Sequence, residues 1–272
     1  MQKIWVVDAF SKEVFKGNPA GVCIVQEWPE QEYMQNISAE LGFSNSAFAK
    51  KIDDNHYSIK WFTPKSEAPL CGHATIATTH ILIEECLVDP KQKVIYESQA
   101  GMIECSNING WYALNFPIYN DVKTAELPDK YLDIVKKRPI YYGRSSNFLF
   151  MEFAPKDLKN LKPDLELLKE VDVRALIATS VGENGFDFMS RYFAPKVGIN
   201  EDPVCASAHC RLIPYWTHKL AKTEMLAFQA SERTGIIKCK NLGNRVLICG
   251  EAVRVFKGDI IHNELRNLKN VA

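Results

Sequence analysis

The chain of 272 residues repeats itself, and that repeat limits what it can fold into more than any single motif does. Trp61-Phe62-Thr63-Pro64-Lys65 is answered by Tyr192-Phe193-Ala194-Pro195-Lys196, at an offset of 131 residues. A little further on, Glu67-Ala68-Pro69-Leu70-Cys71-Gly72-His73-Ala74 is answered by Glu201-Asp202-Pro203-Val204-Cys205-Ala206-Ser207-Ala208 at an offset of 134. Both offsets are close to half the chain. A duplication of this size predicts two pseudo-symmetric α+β domains, 1–118 and 119–272, each with its own core. The last strand is free to return to the first domain. The polar stretch Pro117 to Pro128, bounded by prolines, is the expected linker.

Each copy reads as strand, loop, then a cysteine at the mouth of a helix. His56 to Phe62 and Gly185 to Phe193 alternate polar and apolar residues, as half-buried strands do. Pro64 and Pro195 stop those strands. The helix after Cys71 carries Ile76, Ala77, His80, Ile81 and Ile83, and the helix after Cys205 carries Leu212, Ile213, Tyr215, Trp216 and Leu220. Elsewhere, Pro29 to Leu41 reads as an amphipathic helix ended by Gly42, and Pro163 to Leu176 as a second-domain helix. Val94–Ser98, Trp111–Phe116, Phe148–Phe153 and Arg245–Phe256 read as strands.

Composition narrows the functional classes. Lys+Arg and Asp+Glu both total 33, so the net charge is zero, which argues against nucleic acid or an anionic membrane as partner. No apolar run reaches the length of a transmembrane helix. The N-terminal alternation runs into Asp8 and does not read as an export signal. The eight cysteines contain no C-x-x-C pair, so reduced thiols in a cytoplasmic protein are expected rather than a disulfide or zinc framework. His73 and His80 lack a third ligand at sensible spacing, and no metal is expected.

The small residues Gly72-His73-Ala74 with Thr75, and Ala206-Ser207-Ala208, leave helix-opening N–H groups uncovered, a fit for an anion such as a carboxylate. A thiol at a helix N-terminus is expected to have a lowered pKa. Two such thiols, Cys71 and Cys205, facing one substrate would supply the two bases a racemase or epimerase needs. The alternative is that both are packing residues left from the duplication. Asn18, in the Gly17–Gly21 turn, is expected near the ligand.

Several of these segments resemble the PhzF-like isomerases, the relatives of the phenazine-biosynthesis isomerase. The resemblance lies in Val7-Asp8-Ala9-Phe10, Phe15 to Ala20, Trp61 to Pro64, Cys71 to Thr75 and Arg191 to Pro195. Glu201 to Val204, Ser207 to His209, Ser231 to Gly235 and Gly250 to Val253 extend it over nearly the whole chain. It implies the diaminopimelate epimerase-like fold, with a curved sheet or barrel around a central helix in each domain. It also implies an active site between the domains, no cofactor, and a homodimer. Carried over residue by residue, the family's catalytic His falls on His73, its Asp on Asp202 and its Ser on Ser207. The family's Glu, in a motif like Ser-Glu-Thr-Ala-Phe, is replaced by Asn45 in Ser44-Asn45-Ser46-Ala47-Phe48. A carboxamide holds a substrate but takes no proton from it. Cys205, where the family often has Thr, restores the two-cysteine pattern of the epimerase and proline-racemase relatives. The base is then Cys71/Cys205, or Asp202 with His73. The expected function is a cofactor-independent isomerase acting on a small carboxylate-bearing metabolite. The competing reading is a catalytically weak or inactive metabolite-binding protein of the same fold.

Overall fold

A computed structural model describes residues 2–261. Its strands join edge to edge into one long ribbon, and the order of pairings along that ribbon is written twice. In the first half, Gln2–Ala9 pairs antiparallel with Asn18–Val25, which runs parallel to Asn45–Asp53. That strand pairs antiparallel with His56–Phe62, which runs parallel to Val94–Ser98; Gly101–Ile108 and Trp111–Pro117 follow in antiparallel order. In the second half, Tyr141–Arg144, Phe148–Glu152, Ala175–Val181, Phe188–Phe193, Glu224–Gln229, Gly235–Asn241 and Arg245–Gly250 reproduce the same succession. Trp111–Pro117 then pairs with Arg245–Gly250 and joins the halves. The duplication read from two short motifs thus extends to these six successive strand pairings in each half.

Each half wraps a helix that follows its fourth strand, Gly72–Glu84 in the first and Ala206–Leu220 in the second. The first helix is buried nearly all round, as a helix inside a curved sheet must be. Its threonines satisfy themselves locally: Thr75, Thr78 and Thr79 hydroxyls donate to the carbonyls of Cys71, Ala74 and Thr75 at 2.6, 2.7 and 2.9 Å. Trp61 and Trp216 are the largest wholly buried side chains, one in each half of a continuous core. Among the described residues no helix is long and apolar enough to cross a membrane.

The amphipathic helix before Gly42 is present as Gln31–Leu41, and Gly42 ends it at φ 66°, its N–H donating to Ser38 O. Three other expectations need correction. Pro163 to Leu176 holds only the short helix Leu165–Lys169, capped by Asp164, and Ala175 already begins a strand. Leucines and valines there mimic helical spacing, but Val171 and Val173 are poor helix formers and Ala175 takes up pairing with Phe148. The strand expected from Gly185 starts at Phe188, because Gly185 sits in a turn at φ 89°. Arg245–Phe256 is two strands, Arg245–Gly250 and Ala252–Ile260, broken at Glu251, whose carbonyl accepts the Phe10 N–H at 2.7 Å. That break carries the chain back to the first half, where Ala252–Ile260 pairs with Gln2–Ala9.

Candidate active site

Cys71 and Cys205 occupy the N-cap positions of the two buried helices, both with extended backbone. The helices meet at these ends. A Cβ placed on Gly72 would lie 2.7 Å from the Cβ of Ala206, so only a glycine permits this approach. Over the junction opens a cavity of about 430 Å³, lined by Asn45, Cys71, Gly72, His73, Asp202, Cys205, Ala206 and Ser207, among others. Asn45 and Ser207, 162 positions apart (207 − 45), thereby share one wall, as the facing helix mouths require.

The remaining expected contacts sit behind that wall. Asn18 is fully buried and bridges the halves: its Nδ2 donates to Asp202 Oδ1 at 2.6 Å and to Val204 O at 3.0 Å, and lies 3.3 Å from His73 Nδ1. Its Oδ1 accepts from Ser44 Oγ, which is also 3.2 Å from His73 Nε2. Thr75 spends its amide and its hydroxyl on Cys71 O. Ala74 and Ala208 are buried in the first helical turns and do not line the cavity.

Electrostatics separate the candidate bases. Burial pushes the Cys71 and Cys205 thiols well above the ordinary thiol value, against the helix-end amides that favour thiolate. The lowered pKa expected from helix position is therefore reversed, because desolvation outweighs the dipole in so enclosed a place. Burial likewise drops the His73 imidazole to about 3, leaving it neutral. Asp202 goes the other way. Burial raises its carboxyl to about 6, although Cys205, the Val204 amide and Asn18 all favour the anion. Asp202 is the acid in this wall whose proton comes and goes nearest neutral pH. Ser207 Oγ lies 3.3 Å from Cys205 Sγ and is exposed to the cavity.

Asn45 is buried, and its Nδ2 has no hydrogen-bond partner among the described residues. A buried amide donor without a partner costs about 1–3 kcal/mol, and a substrate oxygen in the cavity would recover it.

Four residues at the site escaped sequence reasoning. Gln229 is wholly buried; its Nε2 donates to Asp202 O at 2.8 Å while its Oε1 accepts the Cys205 N–H at 3.0 Å, fixing the loop between them. Tyr192, Arg174 and Arg245 line the cavity. Tyr192 stood in the repeat as the counterpart of Trp61, which was a signal for its place though not for its role. Arg174 fell inside the misread helix, and Arg245 at a strand's start carried no pattern.

Among the described residues no group of three or more His, Cys, Asp or Glu side chains is arranged to hold a metal ion.

Comparison with known proteins gives a consistent picture. Residues 7–258 match the family model of phenazine biosynthesis-like proteins, PhzC-PhzF. The chain is 40% identical over 260 residues to an uncharacterised isomerase of Halalkalibacterium halodurans, covering 95% of this chain and 98% of that one. A crystal structure of a PhzF-family protein from Enterococcus faecalis superposes with a TM-score of 0.91 at 36% identity, covering 96% of this chain and 99% of that one. A probable proline racemase from Agrobacterium radiobacter, crystallised with carbonate, shares the fold at 10% identity and a TM-score of 0.66.

Proposed function

The chain belongs to the phenazine biosynthesis-like family and is an isomerase-type enzyme with that family's epimerase-like α+β fold, and from this premise we propose that it shifts a proton on a small carboxylate-bearing metabolite, with Asp202 as the base. One observation carries the reading: a buried carboxylate with its pKa raised to about 6 lies in the wall where two helix N-termini meet. Above that pH Asp202 is an anion held by Asn18 and ready to accept a proton.

The substrate carboxylate sits at the joined mouths of the helices Gly72–Glu84 and Ala206–Leu220, and its acidic carbon faces Asp202. Asp202 takes the carbon-bound proton, and the electron pair left behind spreads into the adjacent carboxyl or carbonyl group. Asn45 Nδ2 donates to that oxygen, and the helix ends stabilise its growing charge. The Asp202 carboxyl then returns the proton to a carbon of the same electron system, so the isomer leaves with no net change in protons. Cys71 and Cys205 act as neutral thiols bordering the reacting carbon, with Cys205 Sγ 3.3 Å from Ser207 Oγ. Asn45, standing where the resemblance places a Glu, holds substrate and leaves acid–base chemistry to Asp202.

The test is exchange of substrate carbon-bound hydrogen in deuterium oxide, followed by NMR across small carboxylates. Asp202→Asn is expected to slow exchange by about 100-fold or more. Exchange at the wild-type rate in that variant would remove Asp202 as the base.

A further inference from the structure

Two permanent cations on the cavity wall have no part in the proton shift. Arg174 and Arg245 both line the cavity, while Asp202 is the single carboxylate there and no lysine joins the lining. Arg191, Arg211, Arg233 and Arg254 each pair with a carboxylate. No such ion pair forms at Arg174 or Arg245 among the described residues. Arg245 is held in place nonetheless: its Nε donates to Asn115 Oδ1 at 2.5 Å and its Nη2 to Asn115 O at 2.6 Å, which leaves Nη1 free of those bonds. Arg174 stands close enough to Tyr192, itself part of the wall, for its charge to act on the phenol.

Charge balance then points beyond a single carboxylate. The helix mouths and the unpartnered Nδ2 of Asn45 satisfy one anionic group beside the reacting carbon. Two guanidinium groups remain, against the one carboxylate of Asp202. We infer that the substrate is a dianion, with a second anionic group, carboxylate or phosphate, received by the exposed guanidinium groups of Arg174 and Arg245 in the cavity lining. Guanidinium groups recognise both through paired N–H donors. The cavity of about 430 Å³ has room for a short-chain metabolite of this kind. The inference rests on the proton-shift reading for the end at which the first carboxylate sits.

Calorimetric titration of the full chain with butyrate, glutarate and 3-phosphonopropionate tests it. Either or both dianions are expected to bind about tenfold tighter than butyrate, and the tighter of the two tells carboxylate from phosphate. Arg174→Gln and Arg245→Gln are each expected to shrink that preference severalfold, and raising salt to about 0.5 M to shrink it further. Equal affinity for dianion and monoanion, a preference that both variants leave intact, or no binding of either dianion overturns the inference. The exchange assay stands apart from it. Exchange lost in Asp202→Asn with no dianion preference sinks this inference alone, whereas a dianion preference with exchange surviving in Asp202→Asn sinks the choice of base alone.

Discussion

Asp202 costs the protein stability in the form the proposed chemistry needs. Its folded pKa of about 6 lies above the ordinary 3.8, so between those values the folded state keeps a proton that the unfolded chain has released. Stability contributed by that proton is full below about pH 4 and is lost as pH rises through about 6, by roughly 3 kcal/mol. Asp202→Asn cannot ionise. Its unfolding free energy, measured by urea titration at several pH values, is expected to gain on wild type progressively from pH 4 to 7 and then hold the gain. A parallel pH response of the two proteins would show that the carboxylate is not desolvated. Asn45 makes the companion case. Asn45→Ala deletes an unsatisfied donor, so thermal stability is expected to stay level or rise slightly, while affinity for the carboxylate substrate falls by about tenfold. A large loss of stability would mean that the amide is satisfied in solution. The residue types at both positions were legible in the sequence. Their electrostatics were not, because burial depends on chain segments far from either. The same reason explains why a helix N-terminus alone gave the wrong sign for Cys71 and Cys205.

The two buried helices meet end to end because Gly72 has no side chain. Gly72→Ala places a methyl 2.7 Å from the Cβ of Ala206, with Leu114 Cδ1 at 3.5 Å and Phe116 Cε2 at 3.6 Å close behind. Overpacking of this sort costs about 1–3 kcal/mol, more than alanine recovers through helix propensity at a first-turn position. Gly72→Ala is therefore expected to lower stability, and adding Ala206→Gly is expected to recover most of the loss. A double-mutant cycle by thermal unfolding reads the coupling, and strictly additive effects would refute the contact. Helix starts at Cys71 and Cys205 were legible because prolines fix an extended approach and small residues follow. His56–Phe62 was legible to the residue because it alternates, and at its end Trp61 joins the main core while Phe62 is buried in a separate cluster with Phe48 and Met34. The stretch after Pro163 misled for the converse reason. Its apolar spacing suits a helix, yet the parallel pairing of Phe148–Glu152 with Ala175–Val181, which no local pattern announces, claims the second part of it.

At the scale of the whole molecule, the segments that carried the family resemblance outside the cavity turn out to be seams between the halves. Asp8 is buried and accepts from Arg233 Nη2 at 2.7 Å and from the Phe15 N–H at 2.6 Å. Arg233 also donates to Gly17 O at 2.9 Å and Lys16 O at 3.1 Å, while the Gly17 N–H donates to Thr234 O at 2.9 Å. Phe10 O accepts the Ile236 N–H at 3.0 Å, and the Phe10 ring lies where a side chain on Gly250 would stand. The loop after the first strand is thereby clasped by Ser231–Gly235, a segment more than 200 residues away in sequence, which explains why single-sequence reasoning could quote these motifs but not assign them. Burial leaves the Asp8 carboxyl raised above its ordinary value despite the arginine, so desolvation outweighs the pairing. Breaking the pair from one side is then worse than removing it. Arg233→Met strands a buried carboxylate and is expected to cost about 3 kcal/mol, whereas Asp8→Asn with Arg233→Met is expected to cost much less than the two single changes combined. Urea unfolding of the three variants measures this directly. Because the same clasp precedes Asn18 in the chain, Arg233→Met is also expected to loosen the Asn18–Asp202 bridge and slow substrate exchange, with the double variant recovering part of both losses. A variant that lost stability while exchange stayed at the wild-type rate would show that the bridge across the cavity holds without the clasp.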